Sequence, residues 1–179
     1  MKISRIYLTG YMGSGKTTVG KNLAEKLNFQ FVDLDLFIEN RRRKTISEIF
    51  FEKGEDTFRM IEHKALEELA TFENVVVSTG GGAPCFHDNM DLMNKSGFTV
   101  FLQVSENELM KRLKNGQSKR PLLKDKTTEE ILHFIAENIK KRNHYYTQAK
   151  LILDAEGNNI DCIVNNLMSY LSLNSLYSE

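Results

Sequence analysis

Apolar positions along the chain follow two rhythms. Short β-branched and aromatic runs at Ile3–Leu8, Phe31–Asp33, Val75–Ser78, Thr99–Val104 and Leu151–Leu153 predict strands. Between them, Val19, Leu23 and Leu27 recur at four-residue spacing and predict a helix over about Thr17–Leu27, with Asn28 as its stop. Ser47–Phe51 predicts a short helix, and Phe58, Ile61, Ala65, Leu66 and Leu69 mark one face of a longer one. Ser105 with Glu108, and Thr127 with Glu130, both read as capping boxes. The first opens a helix with Leu109 and Leu113 on one face, the second a helix with Ile131, Phe134, Ile135 and Ile139. Ile160, Ile163, Val164, Leu167, Met168 and Leu171 predict a closing amphipathic helix.

Strands alternating with helices predict an α/β fold, a five-stranded parallel sheet covered on both faces in a three-layer α/β/α sandwich. Ligands of such folds collect at the carboxyl ends of the strands. The loops after Leu8, Asp33, Ser78 and Val104 should therefore face the site.

At roughly 150 residues per domain, the 179 residues amount to one domain spanning 1–179, and no linker, repeat or low-complexity tract divides it. The hydrophobic fraction of 41% and charged fraction of 27% exclude a disordered chain. Lys plus Arg equals Asp plus Glu at 24 each, which argues against a partner demanding a strongly basic face, such as a nucleic acid. No stretch approaches the ~20 apolar residues of a membrane span. Cys85 and Cys162 form no disulfide framework, and with no leader-like apolar run they fit a reducing cytoplasm.

The strongest chemical signal lies between the first strand and the first helix. Gly10-Tyr11-Met12-Gly13-Ser14-Gly15-Lys16-Thr17 fits the phosphate-loop pattern G-x-x-x-x-G-K-[ST] in the context that pattern requires. Its glycines let backbone N–H groups turn around phosphate oxygens, and the helix start adds unpaired N–H groups and a positive dipole end. Lys16 can reach the β- and γ-phosphates, and the Thr17 hydroxyl can ligate Mg²⁺.

Other candidates read two ways. Asp33 and Asp35 close the second strand; if extended, their carboxylates share a side, one to hold Mg²⁺ through water and one to take a proton from a hydroxyl. The same pair also fits the start of a helix. Arg59 and Glu62 fit a solvated ion pair, or a guanidinium fork for a carboxylate. Gly80-Gly81-Gly82 fits a tight turn before Pro84, or a loop that lets a ligand approach its backbone. No carboxylate follows Val77, where many phosphate-loop proteins carry a metal-binding Asp, so Asp33 is the nearest substitute. Lys111, Arg112, Lys114, Lys119 and Arg120 form a solvated basic stretch, or a lid over bound phosphates. Arg142 also suits a helix C-terminus. The four histidines show no metal-ligand spacing.

In this order the residues resemble the shikimate kinase family along nearly the whole chain. The match runs through Gly10 to Gly20, Asp33-Leu34-Asp35 with Ile38-Glu39, Gly54-Glu55, Phe58-Arg59, Glu62, the glycine triplet, Arg120-Pro121-Leu122-Leu123, and Arg142 before Tyr146. The resemblance implies a phosphate-loop kinase fold like that of nucleoside monophosphate kinases, with a substrate-binding region at about 33–62 and a lid at about 112–126. It implies transfer of the ATP γ-phosphate to the 3-hydroxyl of shikimate, on the pathway to chorismate and aromatic amino acids, by a monomer. It further implies that Gly13, Ser14, Gly15, Lys16, Thr17, Thr18 and Arg120 bind ATP and that Thr17 with Asp33 serves Mg²⁺. Asp35 would bind and activate the hydroxyl, with Lys16 and Arg120 as the other catalytic groups. Arg59 and Arg142 would clamp the substrate carboxylate, Gly80, Gly81 and Gly82 would line the acceptor, and Arg112 would lie near the nucleotide. A shorter spacing after Tyr146 makes Lys141 a second candidate for the place of Arg142. Two rivals are a kinase for another hydroxy acid, such as gluconate, and a nucleotide-binding regulator without turnover.

Overall fold

The computed structural model describes residues 3–114, 127–157 and 159–173. Strands β1 (Arg5–Thr9), β2 (Gln30–Asp33), β3 (Val75–Ser78), β4 (Phe98–Gln103) and β5 (Leu151–Asp154) form one parallel sheet in the order β2-β3-β1-β4-β5. Helices α1 (Lys16–Leu27), α2 (Leu34–Arg42), α3 (Ile46–Leu69), α4 (Asn89–Ser96), α5 (Glu106–Lys114), α6 (Thr128–Tyr146) and α7 (Ile160–Leu173) connect and cover it.

Alternating strand residues feed two cores. Ile6, Leu8, Val76, Val100 and Leu102 pack with Val19 and Leu23 of α1 and Val164 and Leu167 of α7. Tyr7, Val75 and Val77 pack on the other face with Leu34, Phe58, Leu66 and Met93. Burial on both faces explains why these strands read as continuous apolar runs.

Local chemistry sets the helix ends. Asn28 closes α1 in the left-handed conformation (φ 53°) with its N–H on the carbonyls of Ala24 and Glu25. Thr127 and Glu130 form the expected capping box. The expected box at Ser105 and Glu108 is only half made. Ser105 accepts from the Glu108 N–H (3.3 Å), but the Glu108 carboxylate turns to Arg112 (2.8 Å). Glu156, from the loop after β5, takes the Ser105 N–H (2.9 Å) and hydroxyl (2.7 Å) in its place.

The short helix near Ser47 and the longer one bearing Phe58 are consecutive halves of α3, separated at Gly54 (φ 78°, ψ 172°). That backbone region is open to glycine alone. Helix α4 carries no periodic signal beyond Met90 and Met93, and the sequence reading does not anticipate it. Arg120 and residues 115–126 of the expected lid lie outside the described residues. Among the described residues no helix is long and apolar enough to cross a membrane.

Candidate active site

The carboxyl ends of β1, β2 and β3 meet at a cleft of about 440 Å³ lined by Gly13, Gly15, Lys16, Thr17, Thr18, Asp33, Asp35, Gly80, Gly81 and Arg112, with Met12, Ser78 and Thr79. The phosphate loop forms one wall. Gly15 caps α1 at φ 96°, a conformation that lets the loop turn its amides toward the helix start. The Lys16 ammonium donates to the carbonyls of Gly10 and Tyr11 (both 2.9 Å), which hold it along the loop. Ser14 sits behind the loop rather than on the cleft wall. Its hydroxyl and that of Tyr11 are buried without a protein hydrogen-bond partner. Both residues line a small cavity of about 50 Å³ beneath the loop. Burial pushes the Tyr11 phenol up to about 12, so it stays neutral.

Asp33 stands beside Ser78 in the register of β2 and β3. The neighbouring strand thus brings a carboxylate to the level of the sheet where none follows Val77. Asp33 Oδ2 accepts the Thr17 hydroxyl at 3.0 Å, while Oδ1 accepts the N–H groups of Asp35 (3.2 Å) and Leu36 (3.4 Å). Asp33 therefore caps the helix and faces the Thr17 hydroxyl at the same time. A hydroxyl and a carboxylate within hydrogen-bond reach are the hard oxygen donors that Mg²⁺ takes, alongside water and phosphate oxygens. Among the described residues no group of three or more His, Cys, Asp or Glu forms a metal cluster.

The expectation of an extended Asp33-Leu34-Asp35 is corrected. The strand ends at Asp33, and Asp35 lies in the first turn of α2 because Asp33 caps that helix. Asp35 faces the glycine triplet. A Cβ on Gly80 would sit 3.0 Å from Asp35 Oδ1 and 3.2 Å from Glu62 Oε1. Burial, and then the neighbouring Asp33 charge, raise the Asp35 pKa above the ordinary carboxylate value. That direction suits a proton acceptor.

The triplet owes its glycines to space. None of the three has a positive φ. A Cβ on Gly81 would lie 3.2 Å from the Met12 amide nitrogen, and one on Gly82 would lie 2.9 Å from an Arg59 guanidinium nitrogen. The turn reading also holds, since Ala83 N–H bonds to Gly80 O (3.1 Å) and Cys85 N–H to Gly82 O (2.9 Å).

Arg59 and Glu62 are not a solvated pair. Their side chains are 12% and 1% exposed, 2.9 Å apart. Arg59 also donates to Glu55 (3.0 and 3.2 Å) and stacks on the Phe86 ring at 3.9 Å. Burial drives the Glu62 carboxyl up to about 7 against the pull of Arg59. Arg142 lies 5.7 Å from the Tyr11 ring centre. The charges of Arg59 and Arg142 both act on Glu62 and Cys85. Burial pushes the Cys85 thiol up to about 11, so it is neutral there. Lys141 is exposed and lines a separate depression on α6 with His133 and Glu137. Arg112 bridges the phosphate loop and the loop after β5, donating to Ala155 O at 3.0 Å and to Gly13 and Ser14 carbonyls at 3.5 Å.

Sequence reasoning gave no site role to Met12, Ser78, Thr79, Glu55 or Phe86, although Met12 and Glu55 stand within the motifs. Thr79 carried a signal of its own, a polar residue between an apolar strand and the triplet; it is 2% exposed and bonds to Leu8 O at 3.0 Å.

Known proteins resemble this chain in sequence and in fold. The model of the shikimate kinase family matches residues 12–172. A shikimate kinase of Parabacteroides distasonis is 54% identical over 86% of this chain and 89% of its own. The crystal structure of shikimate kinase from Bacteroides thetaiotaomicron superposes with a TM-score of 0.91 at 49% identity, covering 95% of this chain and 99% of its own. Shikimate kinase from Acinetobacter baumannii in complex with shikimate superposes with a TM-score of 0.86 at 32% identity, covering 97% and 96%. Nearly the whole chain is thus matched both in sequence and in fold, and it belongs to the shikimate kinase family.

Proposed function

We propose that this cleft carries out the reaction of its family, transfer of the γ-phosphoryl group of ATP to the 3-hydroxyl of shikimate, giving shikimate 3-phosphate and ADP for the synthesis of chorismate and aromatic amino acids. One observation carries the assignment. The glycine triplet touches Asp35 through Gly80, the phosphate loop through Gly81 and Arg59 through Gly82. Phosphoryl donor, proton acceptor and carboxylate-binding cation therefore meet across three consecutive residues.

The roles follow from the chemistry. The amides of Gly13, Ser14 and Gly15, with Lys16 and Thr18, hold the phosphates of ATP, and Arg112 borders the nucleotide. Arg59 and Arg142 hold the shikimate carboxylate and so aim the ring. Asp35 accepts the proton of the 3-hydroxyl as its oxygen bonds to the γ-phosphorus and the bond from that phosphorus to the β–γ bridging oxygen breaks. Protein catalysis here is position and charge, not covalent chemistry. Thr17, with Asp33 acting through water, would hold Mg²⁺, which neutralises charge on the β- and γ-phosphates. Arg120 is assigned to the transferring group from its place in the basic stretch 111–120. The same reading treats the chain as one kinase domain working as a monomer in the cytoplasm.

The test is ADP release from ATP and Mg²⁺ with shikimate, with gluconate, and with neither. Stimulation by shikimate alone supports the assignment. Stimulation by gluconate instead moves it to another hydroxy acid, and bound ATP with no stimulation by either acid overturns the acceptor site.

A further inference from the structure

Tyr146 ends α6 one helical turn after Arg142 and is 1% exposed. Its hydroxyl donates to the carbonyl of Gly81 at 2.6 Å, and its ring stacks on Phe101 of β4 with centroids 5.1 Å apart. The middle residue of the acceptor loop is thus tied to the helix that carries Arg142. On the other side of that residue, Gly82 packs against Arg59. The two guanidinium groups are therefore connected through Gly82, Gly81 and Tyr146, and the hydrogen bond is the link between loop and helix in this path.

We propose that Tyr146 is a positioning residue that sets the spacing of Arg142 against the glycine loop and Arg59, and so the grip on the acid end of the acceptor. The proposal rests on the reading of Arg59 and Arg142 as the carboxylate clamp. Burial raises the Tyr146 phenol well above its ordinary range, so the group remains a donor at every pH at which the protein works. A fork-shaped cation loses most of its bidentate strength when misplaced, because its geometry is rigid. A carbonyl left without its donor also shifts to find another.

The test compares Tyr146→Phe, Arg142→Lys and the double variant, with shikimate and ATP varied separately and Tm recorded. Tyr146→Phe keeps the ring stack and removes only the hydroxyl. It should raise the KM for shikimate by about 3- to 10-fold, the scale of one hydrogen bond, with the KM for ATP within about twofold. Arg142→Lys should raise the KM for shikimate more, and the double variant should fall short of the product of the two effects. A second variant, Phe101→Leu, loosens the ring while keeping the donor and should raise the same KM by a smaller factor. It keeps the test readable if Tyr146→Phe yields little folded protein. A lowered Tm with an unchanged KM for shikimate in both aromatic variants, while Arg142→Lys still raises it, overturns the positioning role and leaves the clamp standing. No effect of Arg142→Lys on that KM overturns the clamp, and the proposal with it.

Discussion

The bare Cα of Gly82 lies against the guanidinium of Arg59, so closely that a methyl group there would meet a nitrogen at 2.9 Å. The obstructing atoms are the end of a flexible side chain, not backbone. Gly82→Ala should therefore fold with a Tm near wild type and displace Arg59. The KM for shikimate should rise while the KM for ATP stays put. Arg59→Ala sets the upper limit of this effect, a loss of about 2–4 kcal/mol in acceptor binding for a charge-assisted fork. An unchanged KM for shikimate in both variants would remove Arg59 from the site.

Asp35 is the carboxylate that faces Gly80 and whose proton affinity is raised by burial and by Asp33. Asp35→Asn keeps its size and removes its basicity. ATP affinity should remain near wild type, and kcat should fall at least ~100-fold. Single-turnover kinetics at saturating substrates check the chemical step directly, and near-normal turnover would refute the role.

Asp33 splits its two oxygens between Thr17 and the start of α2. In Asp33→Asn the amide oxygen can keep the cap, so Tm should change little. The Mg²⁺ concentration for half-maximal activity should rise about 10- to 100-fold, the range for partners that hold a metal through water. A metal titration of ADP release, with and without prior chelation, measures it.

Glu62 titrates near 7 in the fold against an ordinary value of 4.5. The folded chain then holds more protons than the unfolded chain between these values. Its contribution to stability is fully present below the unfolded value and is lost as pH rises through about 7. The slope is at most about 1.4 kcal/mol per pH unit. Glu62→Gln should flatten the dependence of Tm on pH across that window. Bound acid beside Arg59 adds negative charge near Glu62 and raises its proton affinity further. Shikimate binding should therefore take up protons near neutrality and weaken as pH rises through about 7, and Glu62→Gln should abolish that trend.

What could be read in the sequence was what neighbouring residues decide. The phosphate loop is one contiguous segment whose glycines, lysine and threonine carry their meaning in their spacing. The strands declared themselves because both sheet faces are covered. Where distant residues decide, the reading went astray. Ser105 looked self-sufficient with Glu108, yet its N–H goes to Glu156, 51 residues on. The Arg59–Glu62 spacing is that of a surface pair, and only the packing of α3 against the triplet turns it inward. The glycine triplet could be read as a turn or as a loop open to close approach, but that Asp35, Met12 and Arg59 are what crowd it could not be read. Asp33 and Asp35 fitted a strand end or a helix start alike, and the N–H groups of Asp35 and Leu36 on Asp33 decide for the helix.

The interruption of α3 at Gly54 makes a corner. Residues 46–53 and 55–69 need not share one axis, because Gly54 leaves helical torsions. An unbroken helix would have to bend and stretch its hydrogen bonds to change direction as sharply. Glu55, which braces Arg59, is the first residue beyond the break. At about 1.5 Å per residue a straight helix would hold Phe50 and Phe58 about 12 Å apart. The corner instead brings their rings to 4.4 Å and sets Phe50 5.9 Å from the Arg59 guanidinium, so one glycine gives that cation an aromatic wall from its own helix.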